Sequence, residues 1–224
     1  MSMIELSGII HNILDIASFE IPKGYTCIAG ENGSGKSTLL KLISGMEIAK
    51  KGSVLCCGEN IRNLNSGYVP EYPDRQIIFD TCFDEIISPL RFSFADPKEA
   101  EEKTKKTADE LGIYDILYKS CKKISGGEKA FLSLATALVT SPRILVLDEP
   151  DSHMDFLSAE KLFCAFKKLK PEYTIHCTQD MNIAEKADFL IFLEKGRVKY
   201  SGSPDDVFEK LKGTPFLPLS RRLF

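Results

Sequence analysis

The stretch GENGSGKST at positions 30–38 is the strongest indication of the fold of this 224-residue chain. It matches the pattern G-x-x-x-x-G-K-[ST], with an apolar strand pattern at 25–29 before it and a helical pattern at 36–44 after it. Glycines let such a loop curl so that its backbone N–H groups point at phosphate oxygens, and the helix N-terminus adds a favourable dipole. The loop predicts a nucleoside triphosphate site formed by Gly30, Asn32, Gly33, Ser34, Gly35, Lys36, Ser37 and Thr38.

A second motif, ILVLDEP at positions 144–150, is an apolar strand pattern that ends in two acids. A buried strand that delivers a carboxylate beside the phosphate loop supplies what Mg²⁺ needs, so we expect Asp148 to hold the ion through water and Ser37 to ligate it. Glu149, one residue on, is placed to orient or deprotonate the attacking water, while Lys36 reaches the β and γ phosphates. Together the motifs predict a catalytic pair, Lys36 and Glu149.

Composition narrows the class of protein. The chain is 43% hydrophobic and 27% charged, which is typical of an ordinary globular protein. Its 29 Lys and Arg against 32 Asp and Glu give a net charge of −3, which does not favour a nucleic-acid partner. Seven cysteines without C-x-x-C spacing indicate neither a disulfide framework nor a zinc site, and a reducing cytoplasm fits them best. The sequence contains neither a signal-peptide pattern nor an apolar run long enough to span a membrane.

Strand patterns at 143–147, 173–177 and 189–193 alternate with helical patterns, which predicts βα units and a mainly parallel sheet. The fold class is therefore α/β, a P-loop NTPase core flanked by helices. Strand patterns at 4–6 and 13–21 predict an N-terminal antiparallel part, and helical patterning at about 77–140 predicts an inserted helical lobe. We expect a single domain over 1–224 without a separate C-terminal regulatory domain.

Between the two motifs lies ISGGEK at 124–129, and here the chain resembles the ATP-binding-cassette (ABC) ATPases, whose signature is close to LSGGQ or LSGGE. Residues 149–155 resemble that family's D-loop with Asp155 at its aspartate, and 68–76 lie where its Q-loop falls. The stretch 188–208 looks like its closing hairpin. The run 72–85 looks most like the cobalt and energy-coupling-factor importer branch.

The resemblance implies that two cassettes face head to tail, each clamping an ATP between one phosphate loop and the other signature. Its signature residues Ser125, Gly126, Gly127 and Glu128 would then bind the γ-phosphate of ATP held by a partner. The implied cofactors are ATP and Mg²⁺. The implied partners are a second ABC ATPase subunit, identical or related, and integral membrane transporter subunits at the cytoplasmic face of the membrane. The alternative is a non-transport ABC-type ATPase with a regulatory or assembly role.

Two departures from the family pattern affect the expected chemistry. The Q-loop glutamine is replaced by Glu71, which can still ligate Mg²⁺ but cannot donate as an amide does, unless the register slips to Gln76. The switch histidine is replaced by Gln179, a neutral amide that we expect to donate to the γ-phosphate without adding positive charge. His176 lies within the preceding strand pattern. We therefore expect slow hydrolysis by a homodimer, or the weaker site of an asymmetric pair.

Two aromatic features leave alternatives open. The N-terminal segment normally presents a tyrosine to adenine, but His11 is the only ring-bearing residue at 6–17, so either His11 stacks on the base or adenine is held weakly. A group of phenylalanines in the helical lobe either forms a groove for a helix of a membrane subunit or belongs to the core of the lobe: Phe79, Phe83, Phe92 and Phe94.

Overall fold

The computed structural model describes residues 3–152, 154, 156–169 and 171–221, except for the side chains of Phe156 and Lys167. The described chain divides into two compact units. The first unit draws its residues from Met1–Leu64, Val146–Glu149 and Glu172–Phe224, and the second from Asn65–Leu145 and Pro150–Pro171. The second unit therefore contains the helical region expected at 77–140 and extends beyond it on both sides.

Among its described residues, the first unit contains strands of two sheets and three α-helices. Its strands are β1 (Met3–His11), β2 (Leu14–Pro22), β3 (Gly24–Ala29), β4 (Lys51–Cys56), β5 (Glu59–Asn60), β8 (Tyr173–Cys177), β9 (Phe189–Glu194) and β10 (Arg197–Gly202), together with the end of β7 (Ile144–Asp148). Its helices are α1 (Lys36–Ile43), α6 (Met181–Ala184) and α7 (Pro204–Lys210).

The smaller sheet has the order β2-β1-β4-β5 and is antiparallel. Its strand β1 continues to His11, although the sequence predicted a strand only at 4–6. The extension survives the glycine in its middle because β1 pairs with β4 through a register shift between Ser7 and Ile10, where Gly8 has a φ of +60°. The predicted antiparallel N-terminal part is therefore present and longer than the pattern suggested.

The larger sheet carries the phosphate loop. In the first unit its order is β10-β9-β3-β8-β7, and β3 runs parallel to both β8 and β9. Five of the six residues of β3 are buried, as are all residues of β7 and β8, which is the pattern of parallel strands covered on both faces. Because parallel strands end at the same edge, the residues that follow β3, β7 and β8 are brought together there.

The second unit is mainly helical. It contains β6 (Ser66–Val69), the start of β7, and the helices α2 (Cys82–Phe92), α3 (Pro97–Glu110), α4 (Gly126–Leu138) and α5 (Phe156–Leu169). Thr81 caps α2 and Asp96 caps α3, each through a side-chain oxygen that accepts from backbone N–H groups. Helix α4 packs against α2 and β6. Among the described residues, no helix is both long and apolar enough to cross a lipid bilayer.

Candidate nucleotide site

The backbone of the phosphate loop strongly favours glycine at its two ends. Gly30 has a φ of +148°, and a Cβ there would lie 2.2 Å from the carbonyl oxygen of Leu193. Gly35 has a φ of +103°, and a Cβ there would lie 2.8 Å from Cδ2 of Leu14. An L-residue at either position would be strained and would collide with its neighbours. The loop is therefore curled as the motif predicted, and its neighbours Leu193 and Leu14 leave little space for a side chain at either glycine.

Helix α1 begins immediately after this loop, and within the described chain no side chain caps its N-terminus. The amide groups at the start of α1 are therefore left for an anion. The Lys36 side chain is only 6% exposed, and its Nζ donates to the carbonyl oxygens of Gly30 (3.0 Å) and Glu31 (3.2 Å). The buried hydroxyl of Ser34 has no hydrogen-bond partner among the described residues. Loop, lysine and orphaned hydroxyl together fit a phosphate group.

An acidic residue reaches this loop from the end of β7. The hydroxyl of Ser37 donates to Oδ1 of Asp148 at 3.0 Å. Hard oxygen donors of this kind are the ligands that Mg²⁺ prefers, usually in combination with the phosphates of a bound nucleotide. The two residues expected to hold Mg²⁺ from the phosphate loop and β7 are therefore neighbours, and their chemistry fits the ion.

Glu149 lies beside the loop in an unusual backbone conformation. Its φ is +48°, its side chain belongs to a residue that is 8% exposed, and its Oε1 lies 3.6 Å from Nζ of Lys36. Gln179, two residues after β8, donates through Nε2 to Oε2 of Glu149 at 2.6 Å and to Oδ1 of Asn32 at 3.3 Å. The first unit thus brings together four predicted site residues: Lys36, Glu149, Gln179 and Asn32.

The sequence predicts that Gln179 donates to a γ-phosphate, but in this structure its amide donates to Glu149 and Asn32. The shorter of these hydrogen bonds is to the carboxylate of Glu149, so Gln179 contacts the residue that is predicted to activate water. One amide nitrogen has two N–H groups, and both are directed at acceptors of the site in this structure. A contact with phosphate would require the hydrogen bond to Asn32 or to Glu149 to be exchanged.

His11 lies at the end of β1 and is only 8% exposed. Its Nε2 lies 2.9 Å from Oε2 of Glu47, and the hydrogen bond from His11 lowers the pKa of that carboxyl group. Little of the ring therefore faces solvent, and stacking on adenine would require the His11–Glu47 pair to open. Adenine stacking by His11 stays a prediction.

Ile13 is a site candidate that the sequence did not reveal. His11 pairs with Leu14 across a two-residue turn, and this turn leaves Ile13 47% exposed. Its Cγ2 lies 3.0 Å from the point that a Cβ on Gly35 would occupy, so Ile13 borders the phosphate loop. An aliphatic residue in a short turn carries no binding signal in the sequence, and only the register of β1 against β2 places it here.

His176 lies in β8, as the sequence predicted, and is almost fully buried. Its Nδ1 lies 2.9 Å from the hydroxyl of Tyr25, and that hydroxyl also accepts from the thiol of Cys27 at 3.0 Å. The contact of His176 with Tyr25 joins strands β8 and β3, and the contact of Cys27 with Tyr25 lies within β3. This buried position is that of a structural histidine.

The signature residues lie in the second unit at the start of α4. Ser125 is the N-cap, its backbone N–H donates to Oε2 of Glu128 at 2.7 Å, and its hydroxyl accepts from the Glu128 N–H at 3.2 Å. This reciprocal pair is a capping box, and the backbone N–H of Ser125 lowers the pKa of the Glu128 carboxyl group. Gly126 and Gly127 have helical backbone, and a Cβ at Gly126 would meet no described atom within 4 Å. The glycines here are not needed by the backbone.

The remaining predicted residues also belong to the second unit. Glu71 is half-buried and follows β6 by two residues, and the exposed Gln76 ends a short 3₁₀ turn, Pro73–Arg75. The assignment of the Q-loop role to Glu71, or to Gln76, stays a prediction. The expected D-loop aspartate, Asp155, lies outside the described residues.

Comparisons with known proteins agree with this geometry. The family model described as ABC transporter matches residues 14–152, which include both phosphate-site motifs and the signature. The energy-coupling factor transporter ATP-binding protein EcfA1 of Fusobacterium nucleatum is 33% identical over 212 residues, covering 89% of this chain and 80% of that protein. Identity at this level over most of both chains extends beyond the short motifs.

Solved structures show the same fold. The cbiO1 protein of Clostridium perfringens, described as part of the ABC transporter complex cbiONQ, superposes with a TM-score of 0.83 at 23% identity over 93% of this chain and 91% of its own. An ATP-binding cassette solved as a dimer with ADP and phosphate superposes with a TM-score of 0.79 at 21% identity, over 90% of this chain and 99% of its own. This chain belongs to the ABC transporter family and is one of its ATP-binding cassettes.

Proposed function

We propose that the chain is the ATP-hydrolysing subunit of a membrane importer of the energy-coupling-factor type and that it works as a head-to-tail dimer. The observation that carries the proposal is the phosphate site of the first unit, where the buried Lys36 and the carboxylate of Glu149 lie 3.6 Å apart beside an uncapped helix. The importer type is supported by the similarity to the Fusobacterium protein, which is named as an energy-coupling factor transporter subunit.

The loop amides, Lys36, Glu149 and Gln179 of the first unit have separate roles in hydrolysis. The amides of the loop and the ammonium group of Lys36 bind the β and γ phosphates and stabilise the negative charge that develops there. Glu149 accepts the proton of the attacking water as that water forms its bond to the γ-phosphorus and the bond to the β–γ bridging oxygen breaks. Gln179 holds Glu149 from the opposite side through its 2.6 Å hydrogen bond.

Mg²⁺ would be held by Ser37 and Asp148. When bound together with the nucleotide, the ion supplies charge neutralisation for the β and γ phosphates. Ser37 and Asp148 already form a pair at 3.0 Å, so binding would replace their mutual hydrogen bond with contacts to the ion or to its water.

The dimer is supported by the signature turn. Gly126 is exposed, it has ordinary helical backbone, and a Cβ there would meet no described atom within 4 Å. Since the second unit itself does not require glycine there, the absence of a side chain is best explained by an external group that approaches the amides at the start of α4. We propose that this group is the γ-phosphate of ATP bound to a second copy of the chain.

A surface on the second unit supports a membrane partner. Phe83 and Phe94 line a cavity of about 470 Å³ near the end of α2 and the start of α3, and Phe94 is 96% exposed. Phe79 packs against the exposed Phe92 with ring centroids 6.4 Å apart. Exposed aromatic residues beside a cavity favour a groove for an apolar helix over a purely internal role. The chain would then act at the cytoplasmic face of the membrane, bound to integral subunits.

The proposal is tested by isolating the full chain from native membranes in mild detergent with an affinity tag. We expect integral membrane subunits to co-purify and expect ATP hydrolysis by the isolated complex. The matched control carries Phe94→Glu, which places a charge in the proposed groove and should lose the membrane subunits while keeping ATP binding. Recovery of the chain with soluble proteins alone, with and without this substitution, would contradict the transport role and favour a regulatory or assembly ATPase.

A further inference from the structure

The carboxylate of Glu149 is held by a residue that has no place in the function proposed so far, Cys177 at the end of β8. The backbone N–H of Glu149 donates to the carbonyl oxygen of Cys177 at 2.9 Å. The thiol of Cys177 in turn donates to Oε1 of Glu149, with a sulfur–oxygen distance of 3.5 Å. One residue of the neighbouring strand therefore holds both the backbone and the side chain of Glu149.

The backbone contact matters because Glu149 leaves the strand β7 in a left-handed conformation, with a φ of +48°. A non-glycine residue in this region is held there by its surroundings, at a cost of about 1–3 kcal/mol. The hydrogen bond to the carbonyl oxygen of Cys177 is one of the contacts that fix it. In this conformation, Oε1 of Glu149 lies 3.6 Å from Nζ of Lys36.

The side-chain contacts divide the two oxygens of the carboxylate. Oε2 accepts from Nε2 of Gln179 at 2.6 Å, and Oε1 faces the thiol of Cys177 at 3.5 Å and Nζ of Lys36 at 3.6 Å. A carboxylate offers about four acceptor sites, so these contacts fix its plane and still leave room for the proton of a water molecule.

The protonation state of the thiol fits a donor. Burial of Cys177 raises the pKa of its thiol well above the ordinary value, and the negative charge of Glu149 raises that pKa further. The thiol therefore stays protonated, and its S–H hydrogen has the carboxylate as its acceptor.

We propose that Cys177 is a positioning residue for ATP hydrolysis: its thiol and its carbonyl group fix Glu149 in the orientation in which the carboxylate accepts a proton from the attacking water. The proposal rests on the proposed role of Glu149 as the general base. It predicts an effect on the rate of the chemical step and not on nucleotide binding, because both of these Cys177 groups contact Glu149.

The test compares steady-state ATP hydrolysis by the full chain and three variants. Cys177→Ala removes the donor and should lower kcat about tenfold while the KM for ATP stays within about twofold. Cys177→Ser restores a donor of similar size and should return kcat to within about threefold of wild type. The matched control is Cys27→Ala, because Cys27 is a buried cysteine of the neighbouring strand β3 whose thiol donates to Tyr25 and not to Glu149. It should keep kcat within about twofold of wild type.

A double-mutant cycle separates positioning from simple loss of packing. In the Glu149→Gln background, Cys177→Ala should lower the residual rate less than twofold, since residues that act through one another are not additive. If Cys177→Ala does not fold, Cys177→Thr and Cys177→Val give a pair of equal shape that differs in the donor. Of these, Thr should be at least about threefold faster than Val.

The proposal is overturned if Cys177→Ala keeps the wild-type kcat, if Cys177→Ser is as slow as Cys177→Ala, or if the alanine effect persists in full without Glu149. Each of these results leaves the proposed function standing. A wild-type chain that shows no ATP hydrolysis at all would instead contradict the proposed function, so the two failures are distinguishable.

Discussion

Two glycine-rich turns of this protein each open a helix, but they are built in opposite ways. The phosphate loop before α1 needs its glycines, because Gly30 and Gly35 have positive φ values and no room for a side chain. Its helix is left uncapped within the described chain. The signature turn before α4 is closed by its own capping box, and Gly126 has both ordinary backbone and open space around it.

The difference shows which turn needs glycine for its own backbone. In the phosphate loop, the backbone conformation itself requires glycine, and the amides at the start of α1 are available to bind a phosphate. In the signature turn, the backbone does not require glycine, which supports the proposal that a group from outside the chain approaches there. Under this proposal, the signature turn acts on a nucleotide held by a second chain.

The largest expected effect lies beside the phosphate loop. Glu149→Gln removes the proton acceptor but keeps the shape and the contact with Gln179, so we expect phosphate release to fall by about 100- to 10,000-fold. ATP binding should persist, and size-exclusion chromatography with ATP and Mg²⁺ should show a dimer. Hydrolysis within tenfold of wild type would contradict the role of Glu149, and a monomer alone would contradict the head-to-tail dimer.

Matched alanine substitutions sharpen the contrast between the turns. Gly35→Ala forces a residue with a Cβ into a φ of +103° against Leu14, so the free energy of unfolding should fall by about 1–3 kcal/mol. Gly126→Ala should leave that free energy within about 1 kcal/mol of wild type, since alanine suits a helix better than glycine.

In the signature turn, we expect alanine to lower the rate of ATP hydrolysis rather than the stability of the fold. Because a methyl group on Gly126 obstructs an approaching phosphate, Gly126→Ala should lower phosphate release about tenfold without a loss of stability. Urea unfolding and phosphate release measured on the same samples check both parts. Equal losses of stability in the two variants would contradict the conclusion that only the phosphate loop needs glycine for its backbone. Full turnover in Gly126→Ala would contradict the proposed approach of a phosphate to the signature turn.

A smaller change is expected at Gln179. Its neutral amide donates to Glu149 but adds no positive charge, whereas an imidazolium donor forms a stronger hydrogen bond to an anion. Gln179→His should therefore raise phosphate release about threefold or more at pH 7, with Gln179→Ala as the control that loses the donor. A wild-type rate that histidine leaves unchanged would contradict the expectation of slow hydrolysis.

The smallest effect concerns the capping box. The folded-state pKa of Glu128 lies below its unfolded value of about 4.5, so its ionised form stabilises the fold above that pH, and the stabilisation is lost as pH falls through the folded pKa. Glu128→Ala should cost less than about 1 kcal/mol at pH 7, and its difference from wild type should shrink below pH 4. Glu128→Gln keeps an acceptor, and its difference from wild type should not grow between pH 7 and pH 5. A pH-independent loss in Glu128→Ala would contradict this account.

Regular elements with a strong local signal could be predicted to within a residue or two. Strand β8 has the predicted bounds, helix α1 ends one residue before the end of the helical pattern at 36–44, and the strand predicted at 143–147 is shifted by one residue in β7. These segments are apolar runs or amphipathic repeats, whose packing the local pattern already determines. Strand β1 was underestimated because its register shift at Gly8 interrupts the alternation that marks a strand.

Contacts that depend on the meeting of distant strands could not be predicted. Ile13 borders the phosphate loop only because His11 pairs with Leu14, and Cys177 reaches Glu149 only because β8 lies beside β7. Neither an isoleucine in a turn nor a cysteine in an apolar strand differs in sequence from an ordinary core residue. The motif residues were found because phosphate chemistry demands particular residue types at fixed spacing.

If each signature turn completes the phosphate site of a second copy, mixing two inactive variants should restore ATP hydrolysis. Lys36→Ala damages the phosphate loop, and Gly126→Asp places a negative charge in the signature turn, where an acid suits a helix N-terminus. Each alone should be inactive. An equal mixture should regain up to about a quarter of the wild-type phosphate release, since half of the dimers then contain one intact site. A mixture no more active than its two components, while the wild-type chain hydrolyses ATP, would contradict the account.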